Sequence, residues 1–283
     1  MRSHRNEPAE EVTGLGRTSG PSVEALEGGA ARTDQIGLDL IIPAHNEAHR
    51  IGPTLEAFRR ELPHPDMRFI VALDSCDDAT PEIVAHHAVE DSRVEIHAFP
   101  KLGKGGVIRQ AFDRCRADLV AFVDADGSTA PGQLAILVDA VQRADGAIAS
   151  RRLPASTVQG RRAVVRVAAS VLFAWLVRHL FGLPYRDTQC GAKVIRRDAL
   201  ELLIPRVTTS DYLFDVDLLL QADSHGYTIV EVPTVWVARP GSRVRLIRDL
   251  GDVAGSLLRL WMSQQGTWKR PQATWTAAAR SET

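Results

Sequence analysis

The chain has 283 residues, 45% of them hydrophobic, so it can form one large domain or two small ones around a substantial core. Its three cysteines, Cys76, Cys115 and Cys190, are far apart and form no Cys-x-x-Cys pair, which disfavours a zinc knuckle or a disulfide framework and favours a reducing compartment. The net charge of −1 excludes a strongly basic nucleic-acid-binding protein, although residues 1–150 carry 15 Lys and Arg against 24 Asp and Glu, and residues 151–283 carry 19 against 11.

The predicted elements begin after a tail. Residues 1–36 are rich in Gly, Glu, Arg, Ser and Ala without a sustained period, and we predict that they are disordered. Apolar strands then alternate with amphipathic helices: strands over 38–44, 68–74, 94–99, 118–126 and 146–152, and helices over 46–61, 79–90, 104–116 and 130–142. This alternation predicts an α/β fold, with a mostly parallel sheet flanked by helices.

Polar segments follow the first four predicted strands. They are Pro43–Glu47, Asp74–Asp78, Lys101–Gly106, and the pair Asp124 and Asp126. Because the carboxyl ends of parallel strands meet at one edge of a sheet, and ligands bind beyond that edge, we expect these segments to converge there. Helix capping explains one such acidic loop but not four together.

The Asp-x-Asp spacing of Asp124 and Asp126 suits a hard divalent cation, Mg²⁺ or Mn²⁺, which takes oxygen ligands and often substrate phosphates. A nucleoside diphosphate is therefore the expected ligand. A glycoside-hydrolysing carboxylate pair leaves the first two loops unexplained. Asp74 and Glu47 can accept N–H groups of uracil or guanine, and Lys104 at a helix start can meet phosphate or ribose oxygens.

The segments "PAHNE", "LDSCDDAT", "GKGGVIRQA" and "VDADGS" resemble, in order and spacing, the inverting family 2 glycosyltransferases, which have the GT-A (Rossmann-like) fold. Further along, "YRDTQCGAKVIRRDA", "YLFDVDLLLQA" and "VEVPTVWVARPGSRV" look like the dolichyl-phosphate β-glucosyltransferase and polyprenyl-phosphate mannosyltransferase branch. The string Arg186–Gly191 and the segment Trp236–Arg243 look closer to the glucosyl members. The resemblance implies a glycosyltransferase domain over 37–243, followed by an amphipathic helix and a polar tail over 244–283.

The resemblance also implies roles for particular residues. The nucleotide-binding set is Pro43, Ala44, Glu47, Asp74, Lys104 and Asp124. Asp126 ligates the metal directly, with Asp124 near the ribose or the metal. Three departures from the usual Asp-Asp-Gly-Ser-x-Asp-Gly-Thr motif are Leu73, Ser75 and Ala79, and Ser128 stands where some relatives place a metal-contacting Gln.

The implied catalytic residues are Asp126, Arg151, Arg152 and Asp215. A polyprenyl phosphate is already an oxyanion, so its attack needs positioning and charge neutralisation more than a base. The arginines would face a phosphate, and Arg161, Arg162 and Arg166 add to the basic C-terminal half. Asp215 is either a base, as in the wider family, or a cap at the start of a helix.

Two apolar segments bear on membrane contact. Residues 167–177 form an 11-residue apolar run, shorter than the roughly 20 residues that a spanning helix needs. This run and residues 244–261 lie either in a membrane interface or against the sheet. The resemblance implies transfer of a hexose, glucose from UDP-glucose, with inversion onto a polyprenyl or dolichyl phosphate. We expect a peripheral protein at the cytoplasmic membrane face, with no nucleic acid involved.

Several alternatives stay open. A GDP-mannose-dependent polyprenyl-phosphate mannosyltransferase fits the same pattern. A family 2 transferase acting on a hydroxyl acceptor would use Asp215 as its base. A nucleotide-sugar-binding regulator without turnover would explain the departures over residues 73–79, but the intact Asp124 and Asp126 argue against it. A sugar-1-phosphate nucleotidyltransferase is disfavoured because the loop after the first strand is not Gly-rich and Arg-containing.

Overall fold

The computed structural model describes residues 37–62, 64, 66–160, 164–239 and 246–264. Its first half confirms the predicted alternation of strands and helices. The elements are β1 (Leu38–Ala44), α1 (Ile51–Glu61), β2 (Met67–Asp74), α2 (Thr80–Glu90), β3 (Val94–Phe99), α3 (Gly103–Phe112), β4 (Leu119–Phe122), α4 (Pro131–Val141) and β5 (Gly146–Ser150). The largest differences from the predicted bounds are that α1 begins at Ile51 rather than Asn46, α3 ends at Phe112 rather than at residue 116, and β4 ends at Phe122, before the acidic pair.

The second half contributes a different set of elements. They are β6 (Thr157–Gln159), α5 (Val164–Phe181), β7 (Lys193–Arg196), α6 (Arg197–Leu203), a 3₁₀ turn (Ile204–Arg206), α7 (Phe214–Ser224), β8 (Ile229–Pro233), β9 (Val235–Val237) and α8 (Leu246–Gln264). The predicted apolar run 167–177 lies inside α5, and the predicted helix 244–261 corresponds to α8. The tail 1–36, Arg161, Arg162, residues 241–243 and the segment after 264 lie outside the described residues.

The main sheet has seven strands in the order β3-β2-β1-β4-β7-β5-β8, and β6 pairs with β9 in a small parallel sheet beside it. Within the main sheet, β7 runs antiparallel to both β4 and β5, whereas the other neighbouring strands are parallel. The prediction of a mostly parallel sheet is confirmed. The start of β7, because of its reversed direction, lies at the edge where β4 ends.

Helices cover both faces of the main sheet and create two hydrophobic cores. Successive side chains of a strand point to opposite faces. In β1, Ile41 therefore joins the core beneath α3 and α7, whereas Leu40 and Ile42 join the core beneath α1 and α4. This two-sided burial explains why the strands read as continuous apolar runs rather than as alternating patterns.

Helix α5 is unusual because much of its apolar surface is not covered. Val165, Val171, Leu172 and Trp175 are 49% to 66% exposed. Val177 and Phe181, in contrast, are buried in the core. Within the described part of the chain, no helix has the length and apolar character needed to cross a bilayer.

Candidate active site

The acidic pair lies just beyond the end of β4. Asp126 Oδ1 accepts a hydrogen bond from the Ser128 amide at 2.9 Å, which forms a tight turn. The Asp124 side chain is 41% exposed and lies against the backbone of Gly191, where a Cβ atom would come within 2.0 Å of Asp124 Oδ2. Any larger residue at position 191 would displace this carboxylate. The reversed strand β7 brings Gly191 here, because this glycine lies just before its start.

Asp124 is the first of four charged side chains that contact one another in a row. Lys104 Nζ lies 2.9 Å from Asp124 Oδ1 and 3.4 Å from Asp215 Oδ2. Asp215 Oδ1 lies 2.7 Å from Lys193 Nζ, which also donates to the Cys190 carbonyl at 2.6 Å. The structure thus brings together Lys104, Asp124 and Asp215 from three distant segments and adds Lys193, which sequence reasoning missed.

Electrostatic interactions keep Lys104 and Asp124, the more exposed pair of these four side chains, in their charged forms. Burial works against the charge on Lys104, but the carboxylates of Asp124 and Asp215 raise the pKa of Lys104 above its ordinary value. Desolvation likewise opposes ionisation of Asp124, yet the Lys104 ammonium lowers the pKa of Asp124. Both groups are therefore ionised at neutral pH.

Asp74, predicted to hold a nucleobase, is buried at the end of β2 and caps helix α3. Its Oδ1 accepts hydrogen bonds from the amides of Leu102 at 2.7 Å and Gly103 at 3.3 Å, and Lys101 Nζ lies 3.3 Å from its Oδ2. The carboxylate satisfies N–H groups that a helix start leaves unpaired. Asp74 therefore fixes the segment that carries Lys104.

The loops after β1 and β2 are tied to each other. Asn46 Nδ2 donates to Asp77 Oδ1, and the Asp77 amide donates to Asn46 Oδ1 at 2.8 Å. Asn46 and Ser75 both have positive φ, 56° and 52°. Ser75 thus stands, where the family motif has Gly, in a conformation that glycine adopts more readily. The departure at this position leaves the turn geometry in place.

Two further predicted nucleotide contacts lie beside these loops. The Glu47 carboxylate accepts from Arg50 Nε at 2.5 Å, and its amide donates to Thr80 Oγ1 at 2.7 Å. Ala44, the last residue of β1 after Pro43, accepts a hydrogen bond from Cys76 Sγ at 3.4 Å. These contacts position the two loops at the edge of the sheet where the sequence placed them.

Arg151 and its neighbour Arg152 follow β5. Arg151 forms a two-point ion pair with Asp187, with Nε–Oδ2 at 2.7 Å and Nη2–Oδ1 at 2.8 Å, and its guanidinium lies 5.4 Å from the centre of the Trp236 ring. Burial disfavours its charge, but Asp187 raises the pKa of Arg151 above its usual range. Two of its donors are thereby held by Asp187 rather than directed at a ligand.

Arg152 has a different environment. Its Nη2 donates to the Ser170 carbonyl at 2.6 Å and to Ser170 Oγ at 2.7 Å, which connects the end of β5 to α5. Burial lowers the pKa of Arg152, and its Nε is buried without a hydrogen-bond partner. Among the residues that the structure describes, no carboxylate lies within ion-pair distance of this guanidinium. Its charge is available for an anion.

The donor set beside the Asp-x-Asp turn fits a hard divalent cation. Asp124 and Asp126 present carboxylate oxygens, and Gly191 leaves the space that Asp124 occupies. Over the described ranges, no three or more His, Cys, Asp or Glu side chains are grouped to hold a metal. Two carboxylates leave most positions around such a cation for water or a ligand's phosphates.

Comparison with known proteins identifies the family. The model of "Glycosyl transferase family 2" matches residues 39–203. The chain belongs to glycosyl transferase family 2. It is a glycosyltransferase, and its sheet, helices and structural neighbours give it the GT-A fold.

Two of the following three curated relatives are named for polyprenol or dolichyl-phosphate lipids. Polyprenol monophosphomannose synthase of Mycolicibacterium smegmatis is 33% identical over 241 residues, covering 81% of this chain and 85% of the relative. Glycosyltransferase AglD of Haloferax volcanii is 33% identical over 239 residues. The match covers 82% of this chain but only 38% of the length of AglD. Dolichyl-phosphate beta-glucosyltransferase of Saccharomyces cerevisiae is 26% identical over 253 residues, covering 81% and 75%.

Solved structures support the fold. Glucosyl-3-phosphoglycerate synthase of Mycobacterium tuberculosis, in complex with Mn²⁺, uridine diphosphate and glucosyl-3-phosphoglycerate, superimposes with a TM-score of 0.61 at 17% identity. The match covers 90% of this chain and 88% of that one. At this identity the likeness concerns the architecture alone.

Proposed function

We propose that this glycosyltransferase moves a hexose from a nucleoside diphosphate sugar, with inversion, onto a polyprenyl or dolichyl phosphate. The observation that carries this proposal is the enclosure of Asp215 between the ammonium groups of Lys104 and Lys193. A carboxylate so placed is poorly suited to take a proton from a hydroxyl acceptor. An acceptor that is already an anion needs no such base, and the names of the relatives point to lipid phosphates.

The loops after β1 and β2 are the proposed site of the nucleobase. Asp74 and Glu47 would accept its N–H groups beside the backbone of Pro43 and Ala44. The exposed Lys101 ammonium would release Asp74 Oδ2 for a nucleobase N–H, because the remaining bonds of this carboxylate go to backbone amides of α3. We favour uracil because the segment Arg186–Gly191 resembles the glucosyl members of the family.

Asp124 and Asp126 would hold a divalent cation, Mg²⁺ or Mn²⁺. When bound, it would supply charge stabilisation for the departing nucleoside diphosphate. The oxygen-only donor set and the Mn²⁺ and uridine diphosphate in a structural neighbour support this assignment. Lys104 would add a second positive charge against the same phosphates.

The acceptor phosphate would meet Arg152, whose guanidinium has no carboxylate partner in the described part of the chain. Arg151, held by Asp187, would line the same side with a fixed charge. One acceptor oxygen attacks the anomeric carbon while the bond from that carbon to the diphosphate oxygen breaks. Attack opposite the leaving group converts an α-linked donor into a β-linked lipid phosphate sugar.

The exposed apolar face of α5 is the proposed membrane contact. Helix α5 packs against α8, on which Leu258 and Met262 are 54% and 55% exposed. Together with the basic charge of residues 151–283, this surface suits the interface of an anionic membrane. The bond from Arg152 to Ser170 connects that surface to the acceptor side of the site. We place the enzyme peripherally at the cytoplasmic face.

The test of this function is direct product analysis. The purified protein is incubated with Mn²⁺ or Mg²⁺, a polyprenyl phosphate, and either UDP-glucose or GDP-mannose. Mass spectrometry should detect lipid-linked hexose from one donor, and Asp126→Ala should abolish it. GDP-mannose is the second donor to try because the mannose synthase relative is 33% identical.

Other outcomes would redirect the assignment. Release of nucleoside diphosphate without a lipid product would overturn the lipid acceptor and favour a hydroxyl acceptor. Neither product, beside an active reference enzyme, would favour a nucleotide-sugar-binding regulator.

A further inference from the structure

In this structure the partly exposed Asp124 carboxylate already has two neighbours from the protein itself. Oδ1 lies 2.9 Å from the Lys104 ammonium, and Oδ2 lies against the Gly191 backbone, so closely that a Cβ there would approach to 2.0 Å. A divalent cation that is to bind Asp124 has to share or replace the Lys104 contact. The candidate metal ligand therefore already has a cation from the protein itself.

Further contacts fix the Lys104 ammonium in its position beside Asp124. Its ammonium is also held by Asp215 at 3.4 Å, and Asp215 is 2% exposed. Lys193, with a fully buried side chain, fixes Asp215 at 2.7 Å and the Cys190 carbonyl at 2.6 Å. That carbonyl precedes Gly191, the residue behind Asp124. Lys193 thus fixes both neighbours of Asp124: Lys104, through Asp215, and Gly191, through the backbone that leads into it.

The four contacting side chains have no net formal charge before any ligand binds. Lys104 and Lys193 carry two positive charges, and Asp124 and Asp215 carry two negative ones. A divalent cation arriving alone meets the Lys104 ammonium beside its ligand, and like charges this close repel strongly in a partly buried site. A nucleoside diphosphate changes this, because its phosphate oxygens offer Lys104 a new partner while also ligating the cation.

We propose that Lys104 is an internal counter-ion that competes with the divalent cation for Asp124, so that tight cation binding requires a nucleoside diphosphate. Asp215 and Lys193 act as positioning residues that keep the Lys104 ammonium within reach of both partners. This proposal rests on the proposed function in one respect, since it takes the Asp-x-Asp turn as the cation site. Its consequence is an ordered site that binds the cation weakly until the donor nucleotide is present.

The experiment measures Mn²⁺ binding without turnover. Free Mn²⁺ is titrated by electron paramagnetic resonance against wild type and Lys104→Met, with and without UDP. We expect Lys104→Met to bind Mn²⁺ about tenfold more tightly than wild type in the absence of UDP, a modest coupling factor. UDP should tighten Mn²⁺ binding by a larger factor in wild type than in Lys104→Met, and the two ligands should affect each other equally.

Two variants serve as controls for charge and for loop position. Lys104→Arg keeps the positive charge and should retain weak nucleotide-free binding. Lys101→Met removes a lysine from the same loop, one that pairs with Asp74 and is 58% exposed. It should leave nucleotide-free Mn²⁺ affinity at the wild-type value, because it does not touch Asp124.

The possible failures are distinguishable. If wild type with UDP binds no Mn²⁺, or if Asp126→Ala binds it as well as wild type, the cation site itself is wrong. If wild type binds Mn²⁺ with UDP but Lys104→Met shows unchanged or weaker nucleotide-free affinity, the cation site stands and the competition by Lys104 is refuted. Circular dichroism on each variant confirms that the fold is retained before either conclusion is drawn.

Discussion

Arg151 and Asp187 are joined by two side-chain hydrogen bonds, and the Arg151 amide adds a third to the same carboxylate at 3.0 Å. The Asp187 side chain is 1% exposed, and the pair lies over Trp236. Desolvation opposes its ionisation, but the guanidinium lowers the pKa of Asp187. This pair fixes the segment before Gly191 against the end of β5.

Asp187→Asn should therefore lower the free energy of unfolding by about 3 kcal/mol, because it leaves the buried guanidinium uncompensated. Urea denaturation measures the effect. Glu201→Gln provides the matched control, since it breaks an ion pair with Arg197 in which both side chains are at least 36% exposed. The control should change stability little, and equal losses in the two variants would contradict a special role for the buried pair.

Lys193→Met should destabilise the protein by about 3 kcal/mol, because Asp215 then loses its nearer ammonium in a buried site. Combining it with Asp215→Asn removes both charges, and the double variant should be more stable than Lys193→Met alone. Denaturant unfolding of the two single variants and the double variant gives the coupling energy. Additive losses would mean that the two side chains do not interact.

The ion pairs of Asp91 predict a specific acid sensitivity. Arg93 donates to Asp91 at 2.8 Å and Arg59 at 3.0 Å, and Arg93 above all holds the pKa of Asp91 well below its usual range. In the unfolded chain this carboxyl takes up a proton near pH 4. Its stabilising effect is complete above that pH and is lost as the pH falls toward the folded-state pKa.

Asp91→Asn should therefore be less stable than wild type at pH 7, with a difference that shrinks by about 1 kcal/mol by pH 3. Urea midpoints at pH 7, 5, 4 and 3 test this. A difference that stays constant over the series would show that Asp91 contributes no pH dependence.

The three cysteines should differ in reactivity. Burial raises the pKa of Cys115 to about 12 and that of Cys190 to about 11, so neither forms much thiolate at pH 8. Burial also raises the pKa of Cys76, but less strongly. Iodoacetamide should label Cys76 first, and UDP should slow this labelling because the residue lies in the proposed nucleobase loops. Peptide mass spectrometry reads out all three sites, and equal labelling of Cys190 would contradict the prediction.

Leu172→Asp combined with Val171→Asp should weaken binding to anionic phospholipid vesicles about tenfold, because it removes exposed apolar surface from α5 and adds negative charge. Vesicle flotation at low and high salt measures this. Val89→Asp is the control, since Val89 is 88% exposed but lies on α2. Equal loss in the control would argue against α5 as the contact surface.

Much of the fold could be predicted because its strands are strongly apolar. The bounds of β1 and β3 agree with the prediction, and the carboxyl ends of four strands meet as expected. The antiparallel strand β7 was not predicted. It has four residues with a basic residue at each end, so neither its length nor its pattern distinguishes it from a turn.

The convergence of the loops could be predicted where spacing carries the signal, as for Lys104 and Asp124, while the binding roles of Lys104, Asp124 and Asp126 stay predictions. Lys193 was missed because a lysine is almost never fully buried, and no local sequence pattern identifies a buried lysine. Asp187 was missed as the partner of Arg151 because 36 residues separate them.

The position of β7 in the sheet has a consequence during synthesis. The strands β3, β2, β1 and β4 all come from residues 38–122, so they can pair while the rest of the chain is still being made. The outer edge of β4 then stays unpaired until residues 193–196 are made. An unpaired apolar edge can pair wrongly with other chains. The strand that closes this edge also brings Gly191 beside Asp124 and Lys193 beside Asp215. Closure of this edge and assembly of the charged site therefore depend on the same late-synthesised strand.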